Sequence, residues 1–387
     1  MASLLTQGLR PFFLAAALLA AAAVPLWTLA AWRSESLLDL GFDLVWHSHE
    51  MLFGFTGAVL AGFTLTAVPN WTGRPALTGG PLALLAGLWL VTRLAAPGLL
   101  AAGSWSGLLL ALFPLVLAGH TAREIIAGKT WRNLPIAGLI ALLAGADLWF
   151  LAAHGGVGDT APAARLGLAA LIALITVIGG RIVPAFTANW LAARQTPAVR
   201  LGPGVDRLAL AVTGAALVAW VGWPVHPLTG YLAAGAGLAN AFRWARWRGW
   251  QCLAEPLIFG LHLGYLWLVI GWGLTAAAIL WVPSVTHGMA QHAFTAGAIG
   301  HMTLVVMSRA ALGHNGLPLK ADALLSAAIA CVFVGAVLRV TANFTGAAAG
   351  PVLMIAASLW SLAFLLFFFR ILPLCWRRMP AHLAGDG

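Results

Sequence analysis

Histidine and glutamate occur together at the start of an apolar run near the beginning of the chain. The run opens with Trp46-His47-Ser48-His49-Glu50 and stays apolar as far as Val68. About 20 residues span the hydrocarbon core of a bilayer, so this run is long enough to cross one. Ionisable side chains inside a membrane helix are costly and mark functional sites. Bound haem or metal would explain two imidazoles and a carboxylate at this end of a membrane helix.

The spacing of these residues predicts where their side chains point. Successive residues of an α-helix are about 100° apart, so His47 and His49 face opposite sides and could ligate two different centres. Glu50 follows His47 by three residues, on nearly the same face, where it could orient an imidazole or relay a proton. We therefore predict His47 and His49 as metal ligands and Glu50 as the catalytic carboxylate. The alternative is a pair of interfacial histidines at the depth of the lipid headgroups.

A second group of histidines lies on or beside one apolar segment later in the chain, at His287, His292, His301 and His314. An ideal helix would point His287 and His301 in one direction, about 21 Å apart, a spacing that suits two stacked haems. His292 would point away from His301. We predict His287, His292 and His301 as further metal ligands. The alternatives are a solvated helix end for His287 and His314, and a hydrogen-bonded core histidine for His292.

His262 and Arg181 are two further polar residues inside apolar segments. Glycines flank His262 at positions 260 and 264, which leaves room for a ligand. A buried histidine bonded to a carbonyl is the alternative. Arg181 needs an anionic partner inside a membrane, and a haem propionate is one candidate. Its alternative is snorkelling to the cytoplasmic surface or capping a helix end.

The composition indicates the class of protein that must position these residues. Of the 387 residues, 61% are hydrophobic and 8% are charged, whereas a soluble domain carries about 25% charged residues. The apolar runs are continuous and lack the alternation of a β-barrel, so the predicted fold class is an all-α polytopic integral membrane protein. The net charge of +10 does not indicate nucleic-acid binding, because Lys and Arg in a membrane protein concentrate in the cytoplasmic loops. The three cysteines form no Cys-x-x-Cys pair, so neither a disulfide framework nor a thiolate zinc site is expected.

We predict about twelve transmembrane helices in a single membrane domain, residues 1–387. Lys and Arg concentrate on alternate connections, an asymmetry that places both termini in the cytoplasm. The first apolar run, Pro11–Trp32, is too long for the core of a signal peptide and is interpreted as a retained span. The predicted spans cover 11–32, 44–69, 81–96, 99–119, 134–153, 165–191, 206–223, 227–243, 255–281, 287–312, 321–341 and 351–373.

Six stretches together resemble the NnrS family of haem- and copper-containing membrane proteins linked to nitric oxide metabolism in denitrifying and related bacteria. They are Arg10–Phe13, Trp46–Met51, Ala67–Arg74, Gly180–Asn189, His262–Tyr265 and His292–His314. The resemblance implies haem b and copper as cofactors, nitric oxide as ligand or substrate, and the bacterial inner membrane as location. The cofactor-binding residues that it implies are His47, His49, His262, His292, His314 and Arg181. It does not assign a ligand to either cofactor, and His301 lies where the family pattern lacks a histidine.

Three functions are compatible with these observations. The first is a membrane-bound oxidoreductase, a candidate nitric oxide reductase, in which one His-ligated centre passes electrons from an unknown donor and the other binds nitric oxide. The second is a twelve-span transporter, although no half-to-half repeat is evident and loop 70–80 lacks the acidic, Arg-rich pattern of major facilitator carriers. The third is a protein that binds haem, copper or nitric oxide without turnover. We favour the oxidoreductase, because paired centres with a carboxylate suit proton-coupled chemistry.

Overall fold

The structure is a computed structural model that describes residues 4–33, 35–102, 105–156, 158–196 and 202–376. Every regular element in these ranges is a helix, as predicted, because backbone polar groups in a bilayer must be satisfied within each segment. The α-helices are α1 (Leu9–Arg33), α2 (Glu35–Asp39), α3 (Leu44–His49), α4 (Thr56–Thr72), α5 (Gly79–Ala101), α6 (Leu112–Ala127), α7 (Leu134–Gly155), α8 (Ala161–Leu174), α9 (Gly180–Ala192), α10 (Pro203–Gly222), α11 (Pro227–Arg246), α12 (Pro256–Leu280), α13 (His287–His292), α14 (Gly300–His314), α15 (Ala323–Thr341) and α16 (Ala349–Ile371). Short 3-10 helices cover Leu4–Thr6, Trp105–Ala111, Trp131–Asn133, Gly249–Cys252, Ala342–Ala348 and Leu372–Trp376.

Nine helical stretches among the described residues are long and apolar enough to cross a membrane. One of them, Ala323–Trp376, covers the predicted span 351–373 and all but the first two residues of the predicted span 321–341. The predicted spans 227–243 and 287–312 also form helices but are not among the nine. The count of twelve and the cytoplasmic termini therefore stay predictions. Positions 103 and 104, inside the predicted span 99–119, lie outside the described residues.

The chain divides into two compact units. Unit 1 comprises Met1–Ala170, Met307–Leu319 and Phe364–Gly387, and unit 2 comprises Leu171–Val306 and Lys320–Ala363. In unit 1, buried apolar side chains of α1, α3, α5 and α7 pack into one core. In unit 2, α12 packs along α11 and against α13. The single membrane domain stays a prediction.

Three of the described helical stretches contain a wide π-helical turn: π1 (Glu50–Phe55), π2 (Ile175–Gly179) and π3 (Ala293–Ile299). Each turn leads directly into a long α-helix, namely α4, α9 or α14. Such turns add a residue to a helix and are frequent at functional sites. Here π1 begins at Glu50, and π2 ends shortly before Arg181. Several of the residues predicted to do chemistry therefore lie in or beside the irregular turns.

In each of the three π-turns, a side chain donates a hydrogen bond to a backbone carbonyl oxygen. A wide turn departs from the regular α-helical hydrogen-bond pattern, and buried carbonyls need partners. The donor–carbonyl pairs are Trp89–Gly54 (3.0 Å), Arg243–Thr176 (2.8 Å) and His301–Gly297 (3.2 Å). Within each unit, a neighbouring helix or the same helix thus stabilises the turn.

The turn π3 also changes the geometry expected for the histidines around it. The ideal-helix projection from His287 to His301 does not apply, because π3 adds a residue between them. His287 is exposed and His301 is fully buried, so the two imidazoles have different surroundings. The spacing argument for two stacked haems therefore loses its geometric basis.

Candidate functional site

Four ionisable side chains are buried together in unit 1: His49, Glu50, Arg93 and Asp147, none more than 8% exposed. They come from the end of α3, the start of π1, the middle of α5 and the second half of α7. We call this group the buried charge cluster. Taking so many charges out of water is costly unless they are paired, and inside membrane helices such groups mark functional sites.

The contacts in the buried charge cluster form a chain from Arg93 to Asp147. Arg93 Nη1 donates to Glu50 Oε1 at 2.7 Å, and the same oxygen lies 2.9 Å from His49 Nδ1. On the other side of the ring, His49 Nε2 lies 2.9 Å from Asp147 Oδ1, an ion-pair distance without the alignment of a hydrogen bond. With His49 protonated, two cations alternate with two carboxylates. The cluster then has no net charge, which lowers the cost of burying it.

Gly54 makes room for the pairing of Arg93 with Glu50. A Cβ atom at position 54 would lie 2.6 Å from Arg93 Nη1 and 2.9 Å from Glu50 Oε2, closer than packed atoms allow. Trp89, about one turn before Arg93 on α5, donates to the Gly54 carbonyl. Trp89 and Arg93 of α5 therefore stabilise π1 and the Glu50 carboxylate at its start.

Three carboxylate oxygens of the cluster, Glu50 Oε2 and both oxygens of Asp147, have no hydrogen-bond donor among the described residues, and Asp147 Oδ1 has only its ion-pair contact with His49. Buried carboxylate oxygens normally accept hydrogen bonds from protein groups or ordered water. Within the cluster, these oxygens are where a proton or a water molecule would be held.

Sequence reasoning missed Arg93 and Asp147 as site residues. Each is the sole charged residue of its predicted span, 81–96 or 134–153, and that isolation is the signal that could have found them. The ion pair between Arg93 and Glu50 could not be predicted from the sequence, because the two residues are 43 positions apart in the chain.

His47 has different surroundings from His49, in agreement with side chains on opposite helix faces. The half-buried His47 ring stacks on Trp27 of α1, with ring centroids 5.7 Å apart. The fully buried His49 ring lies near Phe53 and Phe150, at 5.5 and 5.8 Å. The ligand role predicted for both histidines stays a prediction.

In unit 2, His292 and His301 share one hydrogen-bond arrangement. His292 Nδ1 lies 2.8 Å from the carbonyl of Gly288, and His301 Nδ1 lies 3.2 Å from the carbonyl of Gly297. A carbonyl accepts only, so Nδ1 carries the proton and Nε2 carries the lone pair that binds metals. His301 Nε2 is buried and has no partner among the described residues, and its ring meets Phe333 edge-on at 5.7 Å.

His262 in α12 has the opposite arrangement. Thr187 donates its hydroxyl to the carbonyl of Val183 at 2.8 Å, so its oxygen accepts from His262 Nε2, also at 2.8 Å. The lone pair is then on His262 Nδ1, which has no hydrogen bond within the described part of the chain. A Cβ atom at Gly249 would meet this ring at 2.5 Å, so Gly249 is needed for the close packing around His262.

The other predicted site residues are less enclosed. His287 and Arg181 are exposed, and His314 is half-buried at the end of α14. No group of three or more His, Cys, Asp or Glu side chains within the described ranges is placed to hold a metal ion. The assignment of individual ligands therefore stays a prediction.

A further charge pair in unit 2, between a buried arginine and a half-buried aspartate, was not predicted. Arg243 of α11 donates to Asp206 of α10 at 2.5 Å and to the hydroxyl of Tyr265 of α12 at 2.9 Å. The guanidinium packs directly on Gly180, the first residue of α9, where a Cβ atom would collide with it. Together with its bond to the Thr176 carbonyl, this contact lets Arg243 fix the join between π2 and α9.

Comparison with known proteins bears on the assignment made from the six sequence stretches. The family model described as NnrS protein matches residues 3–378, nearly the whole chain. No individually curated protein matches the chain. The family match confirms the resemblance, and the apolar helices fit a membrane protein. This protein belongs to the NnrS family.

Proposed function

We propose that this protein is a bacterial inner-membrane oxidoreductase that reduces nitric oxide, with haem b and copper held by histidine side chains. Family membership associates the chain with haem, copper and nitric oxide. The observation that carries the catalytic part of the proposal is the buried charge cluster of unit 1. Reduction of nitric oxide to nitrous oxide consumes protons as well as electrons, so a reductase in an apolar domain needs groups that hold protons away from bulk water.

The histidines differ in how well they suit the cofactors. The Nε2 lone pairs of His292 and His301, each with Nδ1 on a carbonyl, match the usual arrangement of a metal-bound imidazole. They are the proposed ligands in unit 2, and His47, His262 and His314 stay further predicted ligands. His49 has a carboxylate at each nitrogen, which suits a proton carrier. When bound, haem and copper supply electron transfer and a coordination site for nitric oxide.

Glu50 is the proposed proton donor. Arg93 fixes Glu50 Oε1, and Oε2 has no donor among the described residues, so Oε2 can carry the proton that is delivered. His49 connects Glu50 with Asp147 through its two nitrogens. When His49 is protonated, its Nδ1 can replace a proton lost from Glu50; the ring is then neutral and keeps its other proton on Nε2, beside the Asp147 carboxylate.

Steady-state consumption of nitric oxide by the purified protein in liposomes, with an artificial electron donor, tests this proposal. We expect Glu50→Gln to lower the rate about 100-fold or more, because an amide cannot deliver a proton. Haem and copper contents should not change. Glu35→Gln, which removes a carboxylate from the exposed surface of α2, is the matched control and should keep the wild-type rate.

Other outcomes would favour the alternatives. Wild-type protein that binds nitric oxide without consuming it would contradict the reductase and favour a non-catalytic binding protein. Substrate uptake by cofactor-free protein in liposomes would favour a transporter. Purified protein that contains neither haem nor copper would end the redox proposal.

A further inference from the structure

Buried arginines inside the apolar helices of this chain have partners. Arg93 binds Glu50 at 2.7 Å, and Arg243 binds Asp206 at 2.5 Å. Arg10, 1% exposed, donates to two oxygen atoms of unit 1 at 3.2 and 3.3 Å. This is the expected pattern, because an uncompensated cation in a low-dielectric environment is expensive.

Two half-buried guanidiniums depart from this pattern: Arg165 in α8 and Arg339 in α15. Neither makes a hydrogen bond, an ion pair or a ring contact with any described residue. The buried part of the Arg339 side chain loses contact with water, and no described anion or carbonyl oxygen replaces the lost hydrogen bonds. The position near the C-terminal end of α15 is favourable for a cation, but that effect is small beside the cost of a missing counter-charge.

Arg339 is distinguished by the segment next to its helix. Within unit 2, α15 packs against α13, which begins at His287 and ends at His292, and also against π3. Asn343 donates to the Thr286 hydroxyl at 3.0 Å, which holds the start of α13 beside the end of α15. The partnerless cation therefore lies on a helix that adjoins two of the predicted metal ligands.

We infer that Arg339 binds an anionic oxygen ligand, a carboxylate or a phosphate, beside the segment that carries His287 and His292. A guanidinium presents a planar fork of N–H donors that matches either group with two parallel hydrogen bonds. Two sources have this chemistry: a propionate of the haem, and the phosphate of a membrane phospholipid. The first source rests on the proposed function, and the second does not.

The haem source is tested by the rate at which the purified protein transfers haem to excess apomyoglobin. Loss of a charged hydrogen bond weakens binding by about 10- to 100-fold, so Arg339→Gln should release haem at least ~10-fold faster than wild type. Arg339→Lys keeps the charge without the fork and should be intermediate. Arg246→Gln removes a half-buried cation that makes a cation–π contact with Phe242 and no ion pair within the described ranges; it is the control and should match wild type.

The phospholipid source is tested by thermal unfolding of delipidated protein in detergent, with and without added phosphatidylglycerol. If phosphate is the ligand, the lipid should raise the unfolding temperature of wild type and Arg246→Gln more than that of Arg339→Gln. Should the Gln variant fail to fold, Arg339→Lys carries both measurements. Haem release and lipid stabilisation that are equal in the Arg339 variants, Arg246→Gln and wild type would overturn the inference. Wild-type protein without haem would defeat the proposed function, and the lipid measurement alone would then decide on Arg339.

Discussion

The pair formed by Arg93 and Glu50 shows what a buried charge requires of its neighbours. Their side chains are 6% and 1% exposed, and the paired atoms are 2.7 Å apart. Removing one partner of such a pair costs about 3–5 kcal/mol, because the other charge stays buried without compensation. We expect Arg93→Gln to lower the free energy of unfolding by about this amount, measured by denaturant titration in mixed micelles.

The double variant Arg93→Gln/Glu50→Gln is the control for this prediction. It removes both charges and leaves His49 balanced by Asp147, so it should recover most of the lost free energy of unfolding. Equal destabilisation of the single and double variants would show that the loss comes from packing and not from the unpaired carboxylate.

The same residues show how far the sequence could predict the site. His49 and Glu50 were predicted because two adjacent polar residues at the start of an apolar run are conspicuous. Asp147 and Arg93 are each isolated in an apolar span, and only the neighbourhood of α3, α5 and α7 gives them a role. A single sequence does not show which spans are neighbours, so the partner of Glu50 could not be predicted.

The π-turns determine the directions of side chains at the scale of whole helices. Each residue of an α-helix rotates the chain by about 100°, so deleting one residue from π3 would turn His292 by about that angle relative to α14. We expect deletion of Thr295 to abolish binding of any cofactor that His292 holds, although the segment stays helical. Haem and copper analysis, with circular dichroism to check helix content, measures the effect.

Thr295→Ala is the matched control for this deletion. Thr295 is half-buried, and the substitution keeps the chain length and removes only a side-chain hydrogen bond to the Gln291 carbonyl. We expect this variant to retain both cofactors. A deletion variant with wild-type cofactor content would mean that π3 does not set the orientation on which binding depends.

Sequence patterns predicted the helices but not the π-turns inside them. The apolar runs continue through π1, π2 and π3 without a break, so their hydrophobicity resembles that of an ordinary span. Glycines within the turns allow close packing, as at Gly297, where a Cβ atom would meet the Trp267 ring at 2.5 Å. A glycine has many other uses in a membrane helix, so its presence alone could not locate a turn.

At the scale of the whole molecule, the sequence predicted the class of all-α membrane protein better than it predicted the number of transmembrane helices. The low charge content and the continuous apolar runs leave helices as the only suitable spanning structure. The helices α11 and α13–α14 are not among the nine apolar stretches of the described chain because they carry polar residues such as Asn240, Arg243 and the histidines. Polar and ionisable residues thus weaken the hydrophobic signal of the helices that hold them.

Reporter fusions test the predicted membrane topology at the scale of the whole chain. Green fluorescent protein is fluorescent when fused on the cytoplasmic side, and alkaline phosphatase is active when fused on the other side. The excess of Lys and Arg on alternate connections predicts fluorescence after Lys129 and Lys320, and phosphatase activity after Asp159 and Pro283. The fusions at Lys129 and Asp159 are internal controls, because they precede α11 and depend only on the earlier helices. If α11 does not cross the membrane, the outcomes at Pro283 and Lys320 exchange, and the twelve-span prediction is wrong.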